Sequence, residues 1–249
     1  MIACKSGPAM EDFSVQRQSL RLYSSILFKH GFSLSASTRI LDFGCGRGKT
    51  VRAFRHFGLD AFGCDIELEA QNEFIQVIDG ETQTIPFPDC CFDLVFSEQV
   101  FEHVQDHSRA VSEIHRVLKP GGLSLHVFPS KLRPIEPHVF VPLAGVIRSY
   151  PWLLFWAFLG IRNTFQAGKN FKEVAQLNWK YLRKGTCYLS GRELRRIIGA
   201  KFHKCEFCEL EFIRHSQGGS RRLRPISAFF PSVASLYSTF WMRVVVLGK

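Results

Sequence analysis

The chain has 249 residues, 46% of them hydrophobic and 22% charged, which supplies a real core for one large or two small domains and excludes a disordered or fibrous chain. Its formal charge of +10 is unevenly spread, −3 over residues 1–138 and +13 over residues 139–249. The basic half points to an anionic partner (acidic substrate, phospholipid surface or nucleic acid) or to nothing more than a solvated face.

The opening MIACKSGPAMEDF lacks the apolar core of about 7–15 residues found in secretory signals. Its eight cysteines therefore read as reduced thiols in a cytosolic setting. Residues 11–29 show helical apolar spacing, with Asp12 or Ser14 as the starting cap. An apolar strand over 39–43 leads through a glycine turn into a helix stopped by Gly58. A second strand is expected at 59–66, a short third in FIQVID, and a buried fourth at 91–100. A helix in DHSRAVSEIHRVLKPGG and a fifth strand over 123–129 follow. Strands alternating with helices over about 130 residues predict βαβ units and an α/β, Rossmann-like, doubly wound, mainly parallel sheet.

Residues 130–185 break that pattern and read as an irregular, aromatic insertion, a lid over the sheet's substrate-facing edge. The uncharged run from Ser149 to Ile161 has 13 residues, short of the roughly 20 that span a bilayer. The stretch 139–161 instead suits an apolar lid or a patch touching a membrane surface. A helix at 190–202, a strand at 203–213, a basic loop and a last strand at 239–249 close the chain. The expected organisation is one domain: an N-terminal helical cap (1–37), a cofactor-binding core (38–129), the lid (130–185), and the closing helix and strands (186–249). Cys205 and Cys208 form a lone C-x-x-C within a predicted strand, where an offset of three sends side chains to opposite faces. No metal site is expected there.

ILDFGCGRG (40–48) places Gly44, Gly46 and Gly48 between a strand and a helix. Glycines let the backbone approach a ligand, and the helix start offers amides and partial positive charge. A P-loop would need glycine at position 43, which is Phe43. A dinucleotide fingerprint would need its third glycine at position 49, which is Lys49. Asp65 lies 23 residues after Asp42, at the end of the second strand, where a carboxylate accepts hydrogen bonds from two ribose hydroxyls.

Four motifs in order carry a resemblance: ILDFGCGRG, CDIE, GETQTIPFPDCCFDLVFSEQVFEHV and EIHRVLKPGG. Over about residues 38–129 the chain resembles the class I S-adenosylmethionine-dependent methyltransferases, in the broad group that includes ubiquinone and menaquinone biosynthesis enzymes. The resemblance implies a seven-stranded sheet with an antiparallel last strand and bound S-adenosyl-L-methionine. It implies that Asp42 and the backbone of Gly44, Cys45, Gly46 and Gly48 hold the methionine portion, Asp65 the ribose and Ile66 the adenine. Glu81, with Thr82 beside it and Asp79 near, aligns with the acidic residue that meets the adenine amino group. Ser97 and Glu98 would line the pocket near the methyl group.

His103, just past the fourth strand, and His138, with Glu136, at the start of the insertion, are the candidate bases, each to be weighed against a merely packing role. After the fourth strand stands Ser97-Glu98-Gln99-Val100, not the [DN]-P-P-[YF] of exocyclic-amine methylation, and no Pro-Cys pair follows. IRHSQGGSRRLRP also lacks interleaved aromatics for stacking bases, so nucleic acid is disfavoured. Trp152, Phe155, Trp156 and Phe158 beside many cations suit a small-molecule or lipid-like acceptor with an anionic group. The competing reading is a non-catalytic membrane-surface or partner-binding protein that keeps the fold. The expected location is cytoplasmic, with contact at a membrane surface.

Overall fold

The structure, a computed structural model, describes residues 11–68 and 71–249; the first ten residues of the predicted N-terminal cap lie outside them. Seven strands form one sheet: β1 (Arg39–Phe43), β2 (Asp60–Asp65), β3 (Ile75–Val77), β4 (Phe92–Glu98), β5 (Leu118–Pro129), β6 (Lys204–Phe207) and β7 (Met242–Gly248). Their order is β3-β2-β1-β4-β5-β7-β6. The first five run parallel, and β7 is antiparallel to both neighbours, as the family resemblance implies.

Alternation along the strands divides the core into two layers, because successive side chains point to opposite faces. Ile40, Leu94 and Leu125 face α1 (Ser14–Lys29) and α2 (Lys49–His56), meeting Ile26, Leu27 and Phe54. Leu41 and Val95 face α3 (His107–Val117) and α6 (Gly191–Gly199), meeting Ile114, Leu194 and Ile198. Both faces are covered, as a mainly parallel sheet requires.

Several boundaries depart from the sequence expectations. The first helix starts at Ser14, whose backbone N–H donates to the Asp12 carboxylate at 2.8 Å; Asp12 satisfies an orphan amide from one position upstream of the cap. Lys-Pro-Gly-Gly, expected to trail a helix, belongs to β5, which begins at Leu118 beside a break in register opposite Phe92–Leu94. The predicted strand at 203–213 is only four residues long, then turns at Cys208 into α7 (Glu209–His215). Cys208 and the partly buried Phe212, and the buried pair Glu209/Ile213, repeat at helical spacing there. Cys205 packs into one layer and Cys208 into the other. The expected basic loop is mostly helical, with α8 (Arg224–Phe229) and α9 (Val233–Phe240).

Residues 130–185 are more regular than expected. They carry α4 (Tyr150–Phe158) and α5 (Phe171–Lys184). Asn170 caps α5, its side chain accepting from the amides of Lys172 and Glu173 at 3.0 Å while the Glu173 carboxylate accepts from the Asn170 N–H, a capping box. Val139, Val141, Leu153, Ala157, Val174 and Leu182 form a separate small core between these helices. Trp152 and Trp156 pack against it, so half of the aromatic set builds the insertion itself.

One side chain ties the loop between β3 and β4 to α3. Arg116 donates to Glu113, to Asp89 at 2.7 Å, and to the carbonyls of Ile85 and Phe87 at 2.8 and 2.9 Å. Glu113 also accepts from the Ile85 N–H at 2.9 Å. Arg116→Ala strands a nearly buried carboxylate and two carbonyls, so a loss of about 2–4 kcal/mol in stability is expected. Urea denaturation checks it; a loss below about 1 kcal/mol contradicts this role.

Candidate active site

The strand order reverses between β1 and β4, and the crevice outside the carboxyl ends of such strands is where open α/β sheets take ligands. A cavity of about 660 Å³ opens there. Its wall includes Phe43 and Gly44 from the first turn, Asp65, Ile66 and Glu67 after β2, and His103 after β4. The opposite side is closed by Tyr181, Lys184 and Gly185 at the end of α5, so the insertion reaches the pocket edge.

The turn after β1 is built around glycine. Gly44, Gly46 and Gly48 take φ of +79°, +52° and +68°, which side chains rarely adopt. A Cβ on Gly44 would lie 2.6 Å from Val100 Cγ1. The Gly44 and Cys45 amides donate to the Cys64 carbonyl at 2.8 and 3.1 Å, pinning the turn to β2. Burial, then the nearby Asp42 and Asp65 carboxylates, push the Cys45 thiol up to about 12, so it stays a thiol.

Asp65 stands where the second-strand acid was expected. One of its oxygens accepts from the Gly46 N–H at 2.8 Å and the other from the Glu67 N–H at 3.1 Å. Each carboxylate oxygen keeps a second lone pair for a hydroxyl. Ile66 is 63% exposed on the pocket wall, an apolar surface offered to a flat ring. Asp42 is buried beneath the turn and does not line the cavity. Burial, then the neighbouring Glu98 and Asp65, raise its carboxyl well above the ordinary value. Glu98 accepts from the Tyr23 hydroxyl at 2.5 Å, which brings α1 to this edge.

Other expected residues lie elsewhere. Ser97 does not face the cavity: it is 2% exposed, and its hydroxyl pairs with His126 Nδ1 at 2.8 Å on β5. Strand alternation sends it to the layer opposite Glu98. Burial drives His126 down to about 3, so its ring is neutral. Asp79 accepts from the Glu81 and Thr82 amides at 3.0 and 2.7 Å and from the Thr82 hydroxyl at 2.9 Å. That turn leaves Glu81 and Thr82 exposed and puts Gly80 and Gln83 on the wall instead.

His103 and His138 do come together, their ring centroids 4.8 Å apart. His103 pairs through Nδ1 with the Gly185 carbonyl at 2.7 Å; burial holds its pKa below the ordinary value, which leaves a neutral ring at pH 7. His138 Nδ1 pairs with Glu136 at 2.8 Å. Glu136 is 1% exposed. Burial pulls its carboxyl up, yet hydrogen bonds from His138, the Val139 amide and the Tyr188 hydroxyl outweigh that and hold it low. Glu102 has no such support, and burial lifts it to about 7.

Tyr23, Gln99, Glu102, Tyr181 and Tyr188 were not anticipated. Only Gln99 carries a local mark: a φ of +57° at the pocket wall, the kind of backbone strain that collects at working sites. The tyrosines arrive from α1, from α5 of the insertion and from the segment just after it, by tertiary packing alone.

Residues 41–125 match the family model described as a methyltransferase domain. Over that stretch, about a third of its length, the chain is similar to a methyltransferase domain. It is 34% identical over 113 residues to the glycine/sarcosine/dimethylglycine N-methyltransferase of Actinopolyspora halophila, covering 39% of this chain and 19% of that protein. It is 30% identical over 131 residues to the malonyl-[acyl-carrier protein] O-methyltransferase of Pseudescherichia vulneris, covering 49% and 50%. It thus spans half or less of these relatives. Among solved structures, phosphoethanolamine N-methyltransferase 2 of Haemonchus contortus superposes with a TM-score of 0.51 at 17% identity, over 93% of this chain and 52% of that one. The matched residues run from β1 into β5 and include the glycine turn and Asp65. The two relatives act on different atoms of different acceptors, so the match leaves the acceptor open.

Proposed function

We propose that this protein transfers a methyl group from S-adenosyl-L-methionine to a small or lipid-like acceptor bearing an anionic group. The observation that carries the reading is Asp65 on the wall of the switch-point cavity, pinned by the Gly46 amide with lone pairs to spare. The site suits the cofactor in charge as well: Asp42, Asp65 and Glu98 gather around the turn, and S-adenosylmethionine brings a cationic sulfonium and a cationic ammonium. In this reading Asp65 takes the ribose hydroxyls, Ile66 and the Gly80–Gln83 turn flank the adenine, and the glycine turn receives the amino-acid tail.

Transfer from a sulfonium is an in-line displacement whose main demands are alignment and exclusion of water. The α5 edge of the cavity is placed to exclude water. His103 and His138 stand at the acceptor end, where a neutral imidazole can take the proton an oxygen or nitrogen acceptor releases. Lys184 on the same wall and the basic second half of the chain suit an anionic acceptor. The exposed Phe155, Phe158 and Leu159 of the insertion suit one presented at a lipid surface.

Calorimetry with S-adenosylhomocysteine, then release of labelled methyl into lipid and polar metabolite extracts, tests this. Asp65→Ala is expected to weaken binding at least about 30-fold, the loss of roughly 2 kcal/mol when two hydroxyls forfeit a charged acceptor. His103→Ala is expected to bind normally and lose turnover. Undiminished affinity in Asp65→Ala contradicts the proposed pocket, and full turnover in both His103→Ala and His138→Ala removes the two histidines from the chemistry.

A further inference from the structure

Glu102, His103 and His138 each place one donor atom within 4.8 Å of the other two. The histidines belong to segments far apart in sequence, one just after β4 and one in the insertion, so local structure does not force the meeting.

Both imidazoles are held in the same way. His103 Nδ1 faces the Gly185 carbonyl at 2.7 Å, and His138 Nδ1 faces the Glu136 carboxylate at 2.8 Å. A carbonyl and a carboxylate oxygen only accept, so each ring donates its Nδ1 proton, and Nε2 is the nitrogen left to face a ligand. Glu136 is itself fixed, by the amides of His138 and Val139 at 2.8 Å and by the Tyr188 hydroxyl at 2.8 Å. Carboxylate and carbonyl partners on the far nitrogen are what orient metal-ligating histidines and raise their basicity.

A second observation is independent of the histidines. Glu102 is 1% exposed, and among the described residues neither of its carboxylate oxygens has a hydrogen-bond partner. A buried carboxylate with no donor is costly, and the hydrogen-bonded carboxylate of Glu136 nearby adds like-charge repulsion. The charged or chargeable neighbours that favour an ionised Glu102 are His138 and Arg133.

We propose that Glu102, His103 and His138 bind a divalent first-row transition metal ion. Two imidazoles and one carboxylate suit zinc, iron, cobalt or manganese and leave coordination positions open. Bonds of about 2.1 Å set donors about 3–4 Å apart, so binding draws the trio together by about 1 Å. Of the three, His103 also lines the cavity, so a bound ion would sit at its edge. There an acceptor's hydroxyl, carboxylate or phosphate oxygen can complete the shell, and a cation lowers the pKa of an oxygen acid it holds. That acceptor role rests on the methyl-transfer reading: with both imidazoles ligated, the acidified acceptor would release its proton to solvent and not to a histidine; metal binding itself does not rest on it.

The test titrates the chelator-stripped full chain with Co²⁺, following its visible d–d absorption, then displaces Co²⁺ with Zn²⁺. One equivalent per chain is expected, with a spectrum free of thiolate charge transfer. Glu102→Gln and His138→Gln are each expected to weaken binding at least about 100-fold, and Glu136→Gln about 10–100-fold as an outer-shell partner. S-adenosylhomocysteine affinity should survive in all three, which shows that they fold. No Co²⁺ signal, a thiolate spectrum, or wild-type affinity in both Glu102→Gln and His138→Gln overturns the proposal. If instead Co²⁺ binds through the trio while S-adenosylhomocysteine does not bind, the proposed function fails and the metal site stands.

Discussion

Gly44→Ala is expected to remove about 2–5 kcal/mol of folding stability, whereas Gly58→Ala costs about 1–2 kcal/mol. Both glycines hold left-handed φ, +79° and +84°, so each replacement carries the same backbone penalty of about 1–2 kcal/mol at most. They differ in what a methyl group would meet. At Gly58 nothing lies within 4 Å, while at Gly44 the methyl collides with both Cγ atoms of Val100. Overpacking of that kind adds about 1–3 kcal/mol. Val100 cannot easily retreat, because it lies between Gln99 at positive φ and the fully buried Phe101. For a domain of this size each kcal/mol lowers Tm by about 2–4 °C, so the pair should separate clearly in a melting experiment. A second variant, Gly44→Ala with Val100→Ala, should recover the overpacking part. Equal losses at Gly44 and Gly58 would mean that the close approach of the turn to Val100 is wrong.

The second large effect has opposite signs for stability and binding. Asp42→Asn is expected to raise the melting temperature of the ligand-free protein at pH 7 by several degrees, yet weaken S-adenosylmethionine binding about tenfold or more. Burial, then repulsion from Glu98 and Asp65, lifts the folded-state pKa of Asp42 above its unfolded value of about 3.9. The folded state therefore holds the proton more tightly than the unfolded chain does. Stability from this group is fully present below about pH 4 and is lost as pH rises through the folded value. Asparagine cannot ionise, so its advantage should be absent at pH 4, grow with pH, and level off above the raised pKa. A cationic ligand favours the ionised form and offsets the penalty, which is how a destabilised group can serve a binding site. Melting curves from pH 4 to 8, with and without ligand, check both halves. An asparagine variant less stable than wild type at every pH contradicts the argument.

How far these features can be read from sequence depends on the distance over which each is encoded. The glycine turn and Asp65 are local: a strand, a turn and a helix start fix them, and the sheet order then places them at one edge. The five parallel strands were legible for the same reason. Ser97 shows where the reading stops, since one residue of alternation decides whether a side chain faces the ligand or the core, and the motif alone does not fix that phase. The helix at 171–184 has a local capping signal in Asn170 and Glu173, but the aromatic, proline-containing run before it carries no clear helical period to extend that signal. The strand predicted at 203–213 failed since cysteine, phenylalanine and glutamate there satisfy both a period of two and a spacing of four. Glu102, Tyr181 and Tyr188 have no local signature at all. Their meeting with His103 and His138 depends on how the insertion docks.

Strand β7 is made from residues 242–248, yet it sits between β5 and β6, inside the sheet. During synthesis β5 therefore waits with one edge unpaired until almost the entire described chain has left the ribosome. Contacts of such long sequence separation make folding slow and leave an adhesive edge in the interim. Trimming those few residues would open the middle of the protein, so a chain cut just before Met242 should accumulate as aggregate even though every residue lining the ligand crevice is still present.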